Sequence, residues 1–226
     1  PEGFWSNKDF PALTALPLWA LAQSGTTNRA AIDKAVAYIL SCAHEDGSIW
    51  REPSVKQKGG GLANYNTAIC MAALNALGRA ELIPVIQKAR AFIAKSQHLG
   101  DDIYKGGMGY DPETGRPYAD LSNSYIAYEA MRLTENVEDL RKEGDPKADL
   151  DWKAAQEFIE RVQTRTESND QPWASDDPEN KGGFAYKPDS SQAGSVTNAD
   201  GKICFRSYGS MTYAGLLSFI YAEVDR

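Results

Sequence analysis

The sequence predicts an all-α fold built from repeated helical hairpins, and three observations carry that prediction. Leu13-Thr14-Ala15-Leu16 aligns with Asn66-Thr67-Ala68-Ile69, Asn123-Ser124-Tyr125-Ile126 and Gly209-Ser210-Met211-Thr212, at offsets of 53 (67 − 14), 57 (124 − 67) and 86 (210 − 124) residues. Between these blocks a second set recurs: Ala37-Tyr38-Ile39-Leu40, Ala91-Phe92-Ile93-Ala94 and Glu157-Phe158-Ile159-Glu160, offset by 54 (92 − 38) and 66 (158 − 92). Gly59-Gly60-Gly61, Gly106-Gly107-Met108-Gly109-Tyr110 and Gly182-Gly183-Phe184-Ala185-Tyr186 each precede a member of the first set. A hairpin that cannot bury its apolar face alone packs on its neighbours, so the register implies a double-layered, curved or closed arrangement.

Taken in order, the first helix covers about 11–24. Its apolar run ending in Ala20-Leu21-Ala22-Gln23 imitates a signal-peptide cleavage site, but two prolines interrupt it and its register makes it the first repeat helix. An amphipathic helix follows at 29–44. The uncharged run from Gly59 to Gly78 is long enough for a membrane span, yet it carries Asn64, Tyr65, Asn66, Thr67 and Asn75 and reads as a buried helix at 63–78. Helices at 81–98, 121–135, 149–165 and 208–223 complete the set. Those at 11–24, 63–78, 121–135 and 208–223 have almost no charge in their first three turns and are expected to be inner. Those at 29–44, 81–98 and 149–165 carry Lys, Arg, Glu and Gln on one face and are expected to be outer.

The glycines permit backbone angles and close approaches that other residues resist, with the apolar residue after each pair plugging a gap between hairpins. Phosphate cradling would need GxxxxGK[ST], or GxGxxG directly after a strand, and neither occurs. The forty-odd residues between Gln163 and Ser207 form a long connection, a candidate lid or rim or else a surface excursion. Ser195-Val196-Thr197-Asn198 and Lys202-Ile203-Cys204-Phe205 flank Asp200-Gly201 and predict a small β-hairpin within it.

At 226 residues the even spread of the repeat argues for a single domain over 1–226. The net charge of −7, without a basic run, makes nucleic acid an unsuitable partner, since phosphate binding needs clustered Lys and Arg. Cys42, Cys70 and Cys204 form neither a CxxC pair nor an even disulfide framework. The chain starts at Pro1 rather than Met, as a chain with a removed leader or a trimmed end does, and this tilts the expected location toward extracytoplasmic without deciding it.

Phe92-Ile93-Ala94-Lys95-Ser96-Gln97 and Phe158-Ile159-Glu160-Arg161-Val162-Gln163 share an aromatic, an aliphatic and a later Gln, while Tyr38-Ile39 is followed by Asp46-Gly47-Ser48-Ile49-Trp50. These resemble degenerate copies of the QW-type repeat of squalene and terpenoid cyclases and of protein prenyltransferase β subunits. The glycine-rich segments, with Asp120-Leu121-Ser122-Asn123 and Ser207-Tyr208-Gly209-Ser210-Met211-Thr212-Tyr213-Ala214-Gly215-Leu216, resemble bacterial prenyltransferase and squalene oxidase repeat proteins. The resemblance covers nearly the whole chain. It implies an α/α toroid of about three and a half hairpins, with inner helices around a cavity. Members of the group continue past the point corresponding to Arg226, so an open ring or a fragment is expected.

The catalytic signatures of those relatives are missing. No DxDD acid motif occurs; Asp176-Asp177-Pro178-Glu179-Asn180 lacks the closing Asp of DDxxD; Asp200 and Cys204 are four apart, where the prenyltransferase zinc element has them two apart. His44 and His98 lie six residues after Tyr38 and Phe92, and equivalent side chains in successive hairpins sit about a helix spacing apart, roughly 8–10 Å. That is too far to share a zinc, so each is read as a C-terminal residue of an outer helix, where a donor suits the dipole. No cofactor or metal site is predicted. Asp120 and Glu129 are nine residues apart on one helix and cannot act as a glycosidase pair. Trp19, Trp50, Trp152 and Trp173 are read as core or interface aromatics.

What remains is the cavity. The starts of the inner helices collect Tyr65, Asn66, Asp120, Asn123, Tyr125, Tyr208, Ser210 and Tyr213. Aromatic walls with a few hydroxyls and amides fit an apolar or sugar-like ligand, with isoprenoids implied by the resemblance; ordinary N-caps and packing tyrosines are the alternative. Binding without catalysis leads. Catalysis by Asp176, Asp177 or Asp120, a scaffold binding protein or glycan, and self-association all stay open.

Overall fold

A computed structural model describes residues 2–26, 28–55, 60–112, 117–198 and 200–223. Among them run seven α-helices: α1 (Ala12–Gln23), α2 (Arg29–Leu40), α3 (Ala63–Asn75), α4 (Ile83–Lys95), α5 (Leu121–Leu133), α6 (Trp152–Val162) and α7 (Gly209–Glu223). A two-stranded antiparallel sheet, β1 (Ser195–Thr197) with β2 (Ile203–Phe205), pairs Val196 with Cys204. Every expected helix is present, and so is the hairpin. Gly59, and the chain ends at Pro1 and Arg226, lie outside the described residues.

The outer helices end earlier than expected, at Leu40, Lys95 and Val162. The residues after them turn extended and pair with the glycine segments: Ala43 bridges Ile49, Gln163 bridges Phe184, and the His98 amide donates to the Gly107 carbonyl at 3.0 Å. His44 and His98 therefore lie beyond their helices, not on the last turn. The Nε2 of each ring has its own partner, the Trp50 carbonyl at 3.1 Å for His44 and the Asp102 carboxylate at 2.7 Å for His98.

The chain forms two compact units. The first comprises Pro1–Ser96, Tyr110–Glu113 and Ala130–Leu150, and the second Gln97–Gly109, Thr114–Glu129 and Asp151–Arg226. In the first, α1 packs on α2 and α3, and α3 on α4. α3 is buried on every side from Asn66 to Leu74, as its lack of charge requires. The outer helices bury one stripe each, Ile32, Ala35, Val36 and Ile39 in α2 and Ile86, Ala89, Arg90 and Ile93 in α4. In the second unit, α6 buries Ala155, Phe158, Ile159 and Val162 and packs on α7. α1 and α7 differ from α3. Both are apolar all round yet covered on one side only, leaving Leu13, Leu16, Tyr213, Leu216 and Ile220 exposed.

One hydrogen bond recurs through both units. A hydroxyl on each inner helix accepts a backbone N–H from a crossing segment: Thr14 from Trp5 at 3.0 Å, Thr67 from Ile49 at 2.7 Å, Ser124 from Met108 at 2.9 Å and Thr212 from Phe184 at 3.3 Å. This shifts the fourth copy of the repeat from Ser210 to Thr212, an offset of 88 (212 − 124). It also moves the first glycine copy from Gly59-Gly60-Gly61 to Gly47, because Ile49, Met108 and Phe184 are the equivalent plugs and all are fully buried. Gly47 and Gly106 have φ of +94° and +96°, and a Cβ there would stand 2.2 Å from the Lys88 carbonyl oxygen and 1.8 Å from that of Ala154. Only glycine fits.

The first unit also buries a charge. Arg90, 1% exposed on α4, donates through Nε to Glu138 at 2.8 Å, through Nη1 to Thr134 at 2.8 Å and the Met131 carbonyl, and through Nη2 to the Ala148 carbonyl at 2.9 Å. Arg141 and the Ala148 amide satisfy the second oxygen of Glu138. Burial alone would raise the Glu138 carboxyl, but those donors and the two guanidinium charges outweigh it and hold it below its ordinary 4.5. In the second unit the long connection has a core of its own: Trp173 donates to the Pro188 carbonyl, its ring lies 5.0 Å from that of Phe205, and Ala174 and Cys204 are buried with it. It is thus a folded segment rather than a loose excursion.

Two outcomes follow. Thr67→Val should cost about 1–3 kcal/mol, because the Ile49 amide loses its acceptor inside the core, while Thr67→Ser keeps it; urea unfolding of both variants checks this. Arg90→Met should destabilise at neutral pH, by less than the about 3–5 kcal/mol of a wholly unpaired buried charge, because Arg141 and the Ala148 amide still hold Glu138. Since the Glu138 carboxyl is held low, its stabilisation is present above pH 4.5 and is lost as pH falls through its folded value; a flat acid limb in the wild type would contradict this.

Candidate functional site

Four of the expected site residues, Asp120, Asn123, Tyr125 and Tyr208, gather in the second unit around the start of α5 and α7. Asp120 immediately precedes α5 and is wholly buried. One carboxylate oxygen accepts the Asn123 amide at 2.9 Å, an N-cap, and the other accepts Asn123 Nδ2 at 2.7 Å and the Tyr118 hydroxyl at 2.8 Å. The Tyr186 side chain donates to it as well. Burial pushes the carboxyl above its ordinary 3.8 against the pull of these donors. The Tyr208 phenol is pushed up too, by its own burial and then by the Asp120 charge.

This geometry decides what Asp120 can do. Four donors saturate the carboxylate, and one of them would have to move before it could pass a proton to a ligand. It anchors the helix start. Asn123 is left differently: its Nδ2 must face the carboxylate, which only accepts, so the orientation of its amide is set by chemistry. Its Oδ1 is then a buried acceptor without a hydrogen-bond partner. The equivalent Asn66, in the first unit, spends both ends on backbone, accepting from Ala12 at 2.9 Å and donating to Gly61 at 2.8 Å.

Outward from Asp120, α5 and α7 present an aromatic wall. The Tyr125 and Tyr221 ring centroids are 6.4 Å apart, inclined by 31°, and the Tyr221 hydroxyl donates to Glu129 at 3.0 Å. Burial raises the Tyr221 phenol, and the charges of Glu129, Tyr125 and Tyr213 add to it. Tyr213, Leu216 and Ile220 fall at helical spacing along α7 and are 65%, 54% and 58% exposed. Nothing about a folded single chain requires large apolar side chains to stand in water together.

The remaining candidates have surroundings of their own. Tyr65, half-buried in the first unit, lies against Tyr110 with ring centroids 6.4 Å apart, and Ser210 is exposed at the start of α7. Asp176 accepts from the Thr166 hydroxyl and amide and pairs with Lys181 at 3.6 Å; these hydrogen bonds, Thr166 first, hold its carboxyl below the ordinary range. Asp177 ties a turn, accepting from the Glu179 amide at 3.2 Å and Asn180 Nδ2 at 3.1 Å. Tyr118, Tyr186 and Tyr221 were not singled out by sequence. For Tyr186 a signal existed, because it follows Gly182-Gly183 as Tyr110 follows Gly106-Gly107, and both tyrosine carbonyls accept the first amides of an inner helix, at 2.8 Å for Leu121 and 2.9 Å for Asn64.

No protein-family model matches the chain, and neither a curated protein nor a solved structure does. No helix among the described residues is long and apolar enough to cross a membrane.

Tyr118→Phe removes one donor from Asp120 and should destabilise by about 1–2 kcal/mol at neutral pH. The Asp120 carboxyl, already above its ordinary value, then rises further, so the loss should shrink as pH falls through that value and the acid is protonated in both proteins. Unfolding curves from pH 7 to pH 4 check the convergence.

Proposed function

We propose that this chain is a squalene-cyclase and prenyltransferase-like repeat domain, an α/α toroid, that binds an apolar ligand of isoprenoid type along its inner helices. The observation that carries the reading is the exposure of Tyr213, Leu216 and Ile220 beside the Tyr125–Tyr221 pair. Apolar walls with a few polar groups at the edge are what small-molecule sites consist of, and Glu129, Tyr208 and Asn123 supply those groups here. The fourfold recurrence of the helix hydroxyl bond supports a hairpin repeat throughout the chain. Binding is preferred to catalysis because the carboxylates of Asp120, Asp176 and Asp177 are all engaged in capping or turn-forming hydrogen bonds.

Equilibrium dialysis against farnesol and squalene tests this. Leu216→Ser with Ile220→Ser should weaken binding by at least about tenfold, given roughly 1.5–3 kcal/mol for each large side chain that a ligand covers. Unchanged affinity in that variant, or no binding by the wild type, would sink the reading. Turnover of a prenyl diphosphate with magnesium, abolished by Asp177→Asn, would replace binding by catalysis. If instead sedimentation shows a dimer that the double variant dissociates, a second copy covers this face.

A further inference from the structure

We propose a second binding site, in the first unit and independent of the α5 and α7 wall, for an amphipathic organic phosphate: an aromatic or aliphatic body carrying a phosphate monoester. The site is formed where the segment before α1 lies along α2. Gly3 makes the approach possible, with φ of +85° and a Cβ position only 2.5 Å from the Lys34 carbonyl oxygen. The segment is held by the Trp5 amide on Thr14 at 3.0 Å and by the buried Tyr38, whose hydroxyl donates to the Lys8 carbonyl. Phe4 is then fixed over Tyr38, ring centroids 5.6 Å apart.

Two clefts meet at this ridge. One, of about 520 Å³, is lined by Phe4, Lys8, Lys34, Tyr38, Ser41 and Arg51, with Glu2 at its rim. The other, of about 300 Å³, is lined by Phe4, Trp5, Asn28, Ala30, Ala31 and Lys34. They share Gly3, Phe4 and Lys34. The first cleft is cationic and the second apolar, so a single ligand spanning Phe4 and Lys34 meets both.

Charge decides the class. In a chain of net charge −7, three cations converge on one cleft against a single lining carboxylate, Glu2. Lys8, Lys34 and Arg51 are exposed, and among the described residues none of them forms a salt bridge. The nearby Asp9 accepts from the Ser54 amide at 2.9 Å and from the Ser54 hydroxyl, and those bonds, ahead of the charges of Lys8 and Arg51, hold its carboxyl low and ionised, so it offsets part of the charge of those two cations while Lys34 stands apart from it. Three cations without a salt bridge leave the cleft net positive even with Glu2 and Asp9 counted, and the charge-assisted hydrogen bonds that Lys and Arg give to phosphate oxygens are the strong kind. The flanking rings of Phe4 and Trp5 and the methyls of Ala30 and Ala31 favour a body that is aromatic or aliphatic.

Calorimetric titration with phenyl phosphate, phenol and inorganic phosphate at low salt tests the site. Phenyl phosphate is expected to bind at least tenfold more tightly than either half alone, to quench Trp5 fluorescence in a variant keeping that tryptophan alone, and to weaken with added NaCl. Lys34→Gln with Arg51→Gln, both exposed and so expected to leave the urea midpoint unchanged, should lose at least tenfold in affinity. Leu216→Ser should leave it unaltered. Phenol binding as tightly as phenyl phosphate, or full affinity in the double variant, would overturn the anionic half; inorganic phosphate binding equally would overturn the apolar half. Failure of farnesol to bind would bear on the α5 and α7 wall alone.

Discussion

The structure depends on a hydroxyl placed early in each inner helix. An inner helix such as α3 is surrounded and must be apolar, yet the segments that leave the glycine turns cross the inner helices and bring backbone amides into the core. Thr14, Thr67, Ser124 and Thr212 each accept one of those amides. Without an acceptor each buried N–H would cost about 1–3 kcal/mol, so the hydroxyl is the smallest polar concession an otherwise apolar helix can make. The rest of the turn follows from it. The amide that reaches the hydroxyl belongs to Ile49, Met108 or Phe184, whose side chains point into the core; two residues earlier the chain must reverse, which requires the positive φ of Gly47, Gly106 and Gly182.

How much of this could be read from the sequence depended on whether the signal was local. Helix identity was legible because charge and apolar spacing along one helix report directly which face is wet. So was the β-hairpin around Asp200-Gly201. The fourth copy was harder: Ser210 and Thr212 are both hydroxyls within one turn, and the long insertion before them removes the even spacing that separates the two. Gly59-Gly60-Gly61 imitates the turn by composition, whereas the turn is defined by a glycine two residues before a buried apolar residue, which selects Gly47. Arg90 shows the limit most plainly. A sequence displays its charge but not that Glu138, Thr134 and two carbonyls at 131 and 148 close around it. A charged residue on an amphipathic helix was assigned to the wet face, and tertiary pairing reversed that assignment.

The same division runs through the candidate site. Asp120, Asn123, Tyr125 and Tyr208 come together because the repeat places helix starts side by side, and the repeat was visible. What the repeat did not reveal is that Tyr118 and Tyr186 arrive from the flanking segments and saturate Asp120. That saturation makes one of the three catalytic candidates a cap. Burial raises the carboxyl while four donors lower it, and a group held between such opposing influences keeps its position more firmly than it tunes its acidity.

Side chains are left unspent where the repeat leaves an element half covered. α3, packed on both sides, has no side chain to spare. α1 and α7 have the same all-apolar composition but each keeps one uncovered side, and the surplus appears as exposed Leu, Ile and Tyr. α2, an outer helix, has the converse surplus: it buries one stripe in the core, and its wet face supplies Lys34, with Ser41 just past its end, to a cleft that the segment before α1 closes with Phe4 and Lys8. Inner and outer helices thus leave different residues unspent, apolar in one case and cationic in the other. The two proposed sites would draw on these two surpluses, while the hydrogen bond that sets the register stays the same in every copy.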